Sequence, residues 1–380
     1  MKARAAKLGL IADFINGYPF KPHQLGTVGQ PVVRIRQLMD PSASVDYSTS
    51  QVPVENQIKN GDLIFAWSGS LAVKKWTRGP ALLNQHLFKV VPHAGVDLDF
   101  LGYALEEVIP RLHAHGSTMQ HVTRPELLST QIQLPGLDQQ RNIVDYLNRE
   151  IAEMDAMNAD LDALIETLTE RRGRVSHHML NALFSDAPLY PLWSILSPKK
   201  DQGHPDEQVL SVYRAYGVIL KDSREDNNNR TPENVSSYQL VKPGDLVVNK
   251  MKAWQGSLGV SPHRGIVSPD YQVCRVISDN VDPDYLHVVL RSAHMVPQYR
   301  VRSKGVRPAQ WRLYWENMAP LGIPLPSLDE QRRIVAELDA SMTRIDAMVA
   351  DAERLKALLA ERKSTLITEA VTGRKEVPGA

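Results

Sequence analysis

An internal repeat constrains this chain more than any other feature of its sequence. Residues 134–157 read LPGLDQQRNIVDYLNREIAEMDAM and residues 325–348 read LPSLDEQRRIVAELDASMTRIDAM. At a constant offset of 191 positions, 12 of these 24 residues are identical, among them Leu134/Leu325, Pro135/Pro326, Asp138/Asp329, Gln140/Gln331, Arg141/Arg332 and Asp155/Asp346. The register continues without a gap to Leu168/Leu359, Glu170/Glu361 and Arg171/Arg362. Agreement of that length makes the chain a tandem duplication, and self-similarity decides a fold before any local motif does.

Each repeat has the grammar of a long helix. A proline ends the preceding segment, and Asp138 or Asp329 is placed to cap the first turn. Apolar residues then recur at alternating steps of four and three. The first repeat gives Leu147, Ile151, Met154, Leu161, Ile165, Leu168, Val175 and Met179; the second gives Leu338, Met342, Ile345, Val349, Ala352, Leu359, Leu366 and Ala370. This is a coiled-coil seam, interrupted at Asn158, Arg172, Lys356 and Lys363. Two matching seams predict that the helices pair with each other. A duplicated chain is most simply related by a pseudo-twofold axis, which makes the pair antiparallel with one globular block at each end. A helix of about 45 residues is roughly 68 Å long at 1.5 Å per residue, close to the roughly 68 Å of two duplex turns.

The globular blocks fall at residues 1–133 and 185–324, with helical spacers at 134–184 and 325–380. Both blocks are short β-rich runs broken by turn signals, followed by a helical stretch. Block one has Pro31 to Ile35, Gly61 to Phe65 and His86 to Val91, then a helix from Leu98 to Leu112. Block two has Val209 to Val212, Gly244 to Val248 and Tyr271 to Ile277, then a helix near Tyr285 to Ala293. The fold class is α+β: two globular domains separated by a long antiparallel two-helix coiled coil, in a pseudo-twofold tandem repeat. The blocks share a Gly-Asp-Leu step and little else, so they present different surfaces.

The net charge of +1 hides a pattern. Lys+Arg against Asp+Glu count 13 to 10 in residues 1–133 and 17 to 14 in 185–324, but 5 to 9 in 134–184 and 9 to 10 in 325–380. Two mildly basic blocks alternate with acidic spacers, which says where phosphate contacts lie if the chain has them. The first ten residues carry Lys2, Arg4 and Lys7 without a long apolar core, and the chain has no apolar run of membrane-spanning length, so a cytoplasmic protein is expected. One cysteine, Cys274, excludes a disulfide framework and a thiolate zinc cage.

Motifs for chemistry are missing. There is no G-x-x-x-x-G-K-[ST] loop and no G-x-G-x-x-G. Asp282-Pro283-Asp284-Tyr285 is like the D-P-P-Y motif of amino-methyltransferases, but its third position is wrong and it reads as a helix start. His113 with His115, and His177 with His178, lack partner carboxylates or cysteines and read as solvated rather than metal-binding. Cys274 lies in a β-run and reads as core.

Over essentially its whole length the chain resembles the DNA-specificity subunits of type I restriction–modification systems. The helical repeats look like that family's conserved regions at Leu134-Pro135 with Gln140 to Val144, and at Leu325-Pro326 with Glu330 to Val335. In block one, Asn16 to Lys21, Leu83 to Val90 and Gly116 to Thr123 are similar to family segments. In block two, Gly244 to Met251, Gly265 to Pro269 and Gly305 to Pro308 look like another branch of the same domain; nothing there matches Asn16 to Lys21. The resemblance implies two target-recognition domains reading two short DNA halves around a nonspecific spacer. It implies double-stranded DNA and two methyltransferase subunits as partners, with a restriction or motor subunit in the full complex. No cofactor is expected on this chain; S-adenosylmethionine, ATP and Mg are expected on the partner subunits.

Base edges are read by Arg, Lys, Asn and Gln, whereas phosphates accept from Lys, Arg and small donors. The candidates in block one are Lys74, Lys75 and Arg78 for phosphate, and Asn84, Gln85, Gln120 and Arg124 for bases or backbone. In block two they are Arg300, Arg302, Lys304, Arg307, Gln310 and Arg312 around Trp311, and Asn249, Lys250, Lys252 and Gln255 around Trp254. Each has an ordinary alternative as a solvated cation or structural amide, and both tryptophans as packing residues. Two other functions remain open to the sequence. One is a non-catalytic helical adaptor binding protein partners, told apart by sequence-restricted DNA binding with a methyltransferase. The other is an enzyme with an unrecognised site, which would be active alone.

Overall fold

The structure is a computed structural model describing residues 3–113, 120–214, 216–223, 231–307 and 310–378. The chain divides into two compact units: residues 1–162 with 353–380, and residues 163–352. Each contains one globular block, part of one long helix and part of the other. The long helices are Leu137–Asp186 and Leu328–Val371.

Within the first unit, strand Arg4–Lys7 pairs antiparallel with Gln131–Leu134, just before the long helix begins. Between them lies an antiparallel four-stranded sheet in the spatial order Ala12–Asn16, Leu87–Pro92, Leu63–Ala66, Ala72–Lys75. Helix Leu98–His113 covers one face of it. Phe14, Phe65 and Phe88 meet edge to face there, with centroids 6.4 and 6.0 Å apart, and Phe100, Leu101 and Leu105 complete the layer. The other face packs on a mixed sheet of Asp46–Ser48, Gln30–Val33, Ala81–Leu83 and Gln57–Ile58.

The second unit repeats this plan. Leu189–Pro191 pairs with Gly322–Pro324, and the four-stranded sheet runs Leu196–Lys199, Tyr271–Val276, Leu246–Asn249, Leu258–Val260. Helices Pro283–Leu290 and Met295–Arg302 cover it, with Tyr285 and Tyr299 fully buried. Asp282 accepts hydrogen bonds from the amides of Asp284 and Tyr285, so the Asp-Pro-Asp-Tyr run is a capped helix start. Cys274 is core, and burial pushes its thiol up to about 12.

The shared Gly-Asp-Leu step is structural. Asp62 accepts from the amide of Lys59 and pairs with Lys89 at 3.0 Å; Asp245 accepts from the amide of Lys242 and pairs with Arg275 at 3.1 Å. In each unit the aspartate ties a turn to the neighbouring strand. Counting from this step, and from the helical offset, gives the correspondence between units residue by residue.

The seams pair as antiparallel helices. In the first unit Ile143, Leu147, Ile151 and Met154 share a core with Leu366, Ile367, Ala370 and Val371. Its cross-helix ion pairs are Asp155–Lys363 at 2.9 Å and Asp162–Lys356 at 2.5 Å, the partner number falling by seven as the first rises by seven. In the second unit Leu180 meets Ile334 and Leu338, and Arg172 pairs with Asp346 at 3.0 Å. Asp155–Lys363 and Arg172–Asp346 are the same pair under the 191-residue offset, with the helices exchanging roles. Each long helix thus supplies the aspartate of this pair in one unit and the cation in the other. None of the predicted seam residues is exposed. Of the interruptions, Arg172, Lys356 and Lys363 form these ion pairs, whereas the buried Oδ1 of Asn158 has no partner.

One expectation is corrected. Asp138 and Asp329 do not cap the long helices. The helices start one residue earlier, with the carbonyls of Gly136 and Ser327 accepting from the amides of Gln140 and Gln331 at 2.9 Å, and Ser327 Oγ accepting from Glu330. The two aspartates therefore sit inside the first turn with fully exposed side chains, where they complement the helix dipole without closing a hydrogen bond. The residue that fastens each start is the buried glutamine. Gln140 Oε1 accepts from the amide of Asp97 at 2.8 Å, and its Nε2 donates to the carbonyls of Gly95 and Pro135. Gln331 repeats all three bonds with Asp282, Asn280 and Pro326.

Candidate nucleic-acid interface

In the second unit the strand Leu246–Asn249 runs out of the sheet into a loop that carries most of one candidate group. Asn249 Oδ1 accepts from the amide of Met251 at 3.1 Å and closes the turn. The 3-10 turn Ala253–Gln255 follows, ended by Gly256 at φ +90, where side chains are disfavoured. Trp254 donates its indole N–H to the carbonyl of Met251, and Trp311 packs edge-on against it with centroids 5.4 Å apart. The segment bearing Trp311 is held by a backbone bridge between Lys304 and Arg312 and by the amide of Leu313 donating to the carbonyl of Lys250. Helix Met295–Arg302 packs on the same turn.

The two block-two groups, separate in sequence, thus form one cluster around the tryptophan pair. Its cations divide into two kinds. Lys250 donates to the carbonyl of Pro269 at 2.7 Å, its ammonium held below the ordinary lysine value by burial. Arg312 pairs with Asp270 at 3.1 Å, and Arg302 donates to Gln298 Oε1 at 2.6 Å. Lys252, Arg300, Lys304 and Arg307 are exposed with no side-chain bond or ion pair among the described residues, as are Gln255 and Gln310. Such a mixture of positioned and free cations beside an aromatic pair suits phosphate contact, the aromatic rings setting the loop's shape. Next to Asn249 and Lys252 lies a polar concavity of about 400 Å³ that also includes Lys221, Tyr238 and Tyr271.

Block one divides its candidates between two places. Near the equivalent loop, strand Ser68–Gly69 pairs with Gln120–His121, and the amide of Val122 donates to the carbonyl of Trp67. Trp67 donates its indole N–H to the carbonyl of Gln85 at 3.1 Å. Gln85 is half-buried, and its Oε1 has no partner. Gln120 belongs here by its backbone; its side chain lies outside the described residues, as do residues 116–119 of the Gly116 to Thr123 segment, His115, and Pro308. Arg124 is exposed at the start of helix Arg124–Ser129.

The remaining block-one candidates lie elsewhere or inward. Asn84 is 4% exposed; its Oδ1 accepts from the amide of His86, and its carbonyl lies where a Cβ on Gly17 would be. That contact gives Asn16-Gly17 and Leu83-Asn84 a structural role. Lys74 and Lys75 end their strand opposite Ile64 and Leu63, at the other end of the hairpin from Trp67, and Lys75 pairs with Asp99 at 2.7 Å. Arg78 stacks on Trp76 at 4.3 Å and donates to the carbonyl of Gln37.

Sequence reasoning missed Trp67. It stands four residues beyond Leu63 as Lys250 stands four beyond Leu246, and each accepts the same backbone bond, from Val122 or from Leu313, which are themselves 191 apart. Counting from the Gly-Asp-Leu step would have found it. Among the described residues no group of histidine, cysteine and carboxylate side chains is placed to hold a metal; His177 stacks on His294 with rings 4.9 Å apart. No described helix is long and apolar enough to cross a membrane.

Comparison with known proteins gives a consistent picture. Residues 7–167 match the model of the type I restriction modification DNA specificity domain. The chain is 25% identical to the type I restriction enzyme EcoBI specificity subunit of Escherichia coli, covering 96% of this chain and 84% of that one. Among solved structures, it is similar to a chain described under complex assembly and conformational transition of the type I R-M system, with a TM-score of 0.63, 19% identity and 98% of both chains covered. It is also similar to the HsdS subunit from Thermoanaerobacter tengcongensis, with a TM-score of 0.55, 17% identity, and 98% and 97% covered. At these identities the two structures speak to the fold.

Proposed function

We infer that this chain belongs to the type I restriction modification DNA specificity family, reads a two-part DNA target and directs methyltransferase and restriction subunits to it. The observation that carries the reading is one framework built twice with unlike loops. The Gly-Asp-Leu turn, the buried glutamine and the reciprocal ion pair recur, while the loop that offers Lys250, Lys252 and Trp254 in one unit offers Trp67 to Leu71 in the other. Shared framework supports two like partners; unlike loops support two different DNA half-sites.

In this reading residues 1–133 and 185–324 are the target-recognition domains, and 134–184 and 325–380 the helical spacers. Block two contacts DNA through Lys252, Gln255, Arg300, Arg302, Lys304, Arg307 and Gln310, with Asn249, Lys250 and Arg312 shaping the loop. Block one uses the surface of Gln85, Gln120 and Arg124, with Lys74, Lys75 and Arg78 as peripheral phosphate contacts. Asn84 acts from the interior by holding that loop. The chain performs no chemistry and binds no cofactor; S-adenosylmethionine, ATP and Mg act on two methyltransferase subunits and a restriction subunit in the cytoplasm.

The test is to express the chain with its methyltransferase and map methylated positions across the DNA of the cells. Methylation confined to one bipartite sequence, with both halves altered by exchanging one block each, is the expected result. Methylation without sequence restriction, or unchanged when the chain is left out, refutes the reading.

A further inference from the structure

In the first unit, the junction of sheet, covering helix and long helix is closed by the chain's own side chains. Lys75 places its ammonium 2.7 and 3.0 Å from the two oxygens of Asp99. Beside it, the hydroxyl of Tyr103 donates to Asn148 Oδ1 at 2.7 Å.

The repeat identifies the same positions in the second unit. Val260 lies opposite Leu246 as Lys75 lies opposite Leu63. Asp97 and Asp282 cap their helices alike and bond the same glutamine, so Asp284 corresponds to Asp99 and Val288 to Tyr103. The 191-residue offset makes Asp339 the counterpart of Asn148. Both closing side chains have thus become valine, one carboxylate is kept, and a second replaces an amide.

The junction is open as a result. A cleft of about 510 Å³ lies there, lined by Tyr216, Val260, Asp284, His287, Val288 and Asp339 among others. Neither Asp284 nor Asp339 forms an ion pair among the described residues. The Nδ1 of His287 faces the carbonyl of Val260 at 3.3 Å; burial, and then Arg291, hold the ring below the ordinary histidine value, against the pull of the two carboxylates. Arg291 turns its guanidinium to the carbonyls of Tyr213, Leu258 and Arg214. The cleft therefore offers two carboxylates beside a neutral ring.

We propose that this cleft receives a lysine or arginine side chain of a methyltransferase subunit, supplying from outside the cation that Lys75 supplies from within. The inference rests on the proposed function, and it makes the two units unequal: one seals the junction itself, the other leaves it for its partner. Charge complementarity favours that occupant, and the sealed copy shows the contact it would make.

Calorimetric titration of the intact chain with the methyltransferase encoded beside it tests this, comparing wild type with Asp284→Asn combined with Asp339→Asn. Wild type should bind the methyltransferase in two steps. The double variant should keep one step unchanged and lose about tenfold or more in the other, with a flatter salt dependence in that step. Asp99→Asn, which touches only the sealed copy, should leave both steps as they were. Both substituted positions in the cleft are exposed, and thermal melts check that the fold is kept; the single Asp339→Asn, on the outer face of its helix, gives a smaller loss of the same sign if the pair disturbs folding. Unchanged binding, or equal weakening of both steps, overturns the inference. A wild-type chain that binds no methyltransferase overturns the proposed function and the docking inference together, a result distinct from either.

Discussion

Replacing Gln140 with alanine removes three hydrogen bonds at a site with no solvent access. The amide of Asp97 and the carbonyls of Gly95 and Pro135 lose their partner at once. A buried donor left unpaired costs about 1–3 kcal/mol, and the carbonyls and the missing side-chain volume add to it. The expected total is about 3 kcal/mol, which is roughly 150-fold in an opening equilibrium. Because Gln331 makes the same bonds, the second unit is an internal reference. Hydrogen exchange should show the Asp97 amide accelerating by about that factor relative to Asp282 in Gln140→Ala, and the reverse in Gln331→Ala. Gln140→Leu should fare no better, since it restores volume but no bond. If Gln140→Ala exchanges at Asp97 within about twofold of wild type, the glutamine does not fasten the helix start.

Three further outcomes follow from particular side chains. Arg302→Ala with Arg307→Ala should weaken DNA binding and lower the slope of log affinity against log salt by about 0.9 for each phosphate no longer neutralised; an unchanged slope removes that stretch from the DNA surface. Gly17→Ala would place a Cβ 2.1 Å from the backbone oxygen of Asn84 and should cost about 3 kcal/mol, whereas Gly173→Ala, in open helix surface, should stabilise by about 0.5–1 kcal/mol; equal effects in denaturant melts would contradict the close approach. His287 and His294 are held below the ordinary histidine value by burial, so the unfolded chain binds more protons below about pH 6.5. Stability present above that pH should fall as pH drops toward the lowered folded values, and His287→Gln should flatten part of the decline in urea midpoints between pH 7.5 and 5.5; a midpoint independent of pH there would refute the burial argument.

What the sequence makes legible is whatever depends on local spacing. The seams were readable because helix periodicity is fixed, and the interruptions at Lys356, Lys363 and Arg172 reached across to aspartates. The capping role failed at Asp138 because a helix start is decided by the preceding backbone, here Gly136 and Ser327. Gln140 and Gln331 were visible as identical, but their bonds run to Asp97 and Asp282, more than forty residues away. Surface candidates suffered most from such distance. Asn84 turned inward and Lys75 onto Asp99 because strand order, which no local pattern encodes, set their neighbours. In block two the reverse happened: Trp254 and Trp311, far apart in sequence, joined two candidate groups into one surface.

The first unit's core includes Leu366, Ile367, Ala370, Val371 and Val377. During translation, then, the first of these two blocks to be made cannot complete itself. Until those side chains emerge, the core around Leu147 and Ile151 lacks part of its cover, and the nascent protein must carry a half-built unit through the synthesis of everything between. The second block has no such wait, since its parts are made in one uninterrupted stretch. The order of birth and the order of completion are therefore opposite, and a ribosome stalled before residue 366 would release a chain whose older half is the unfinished one.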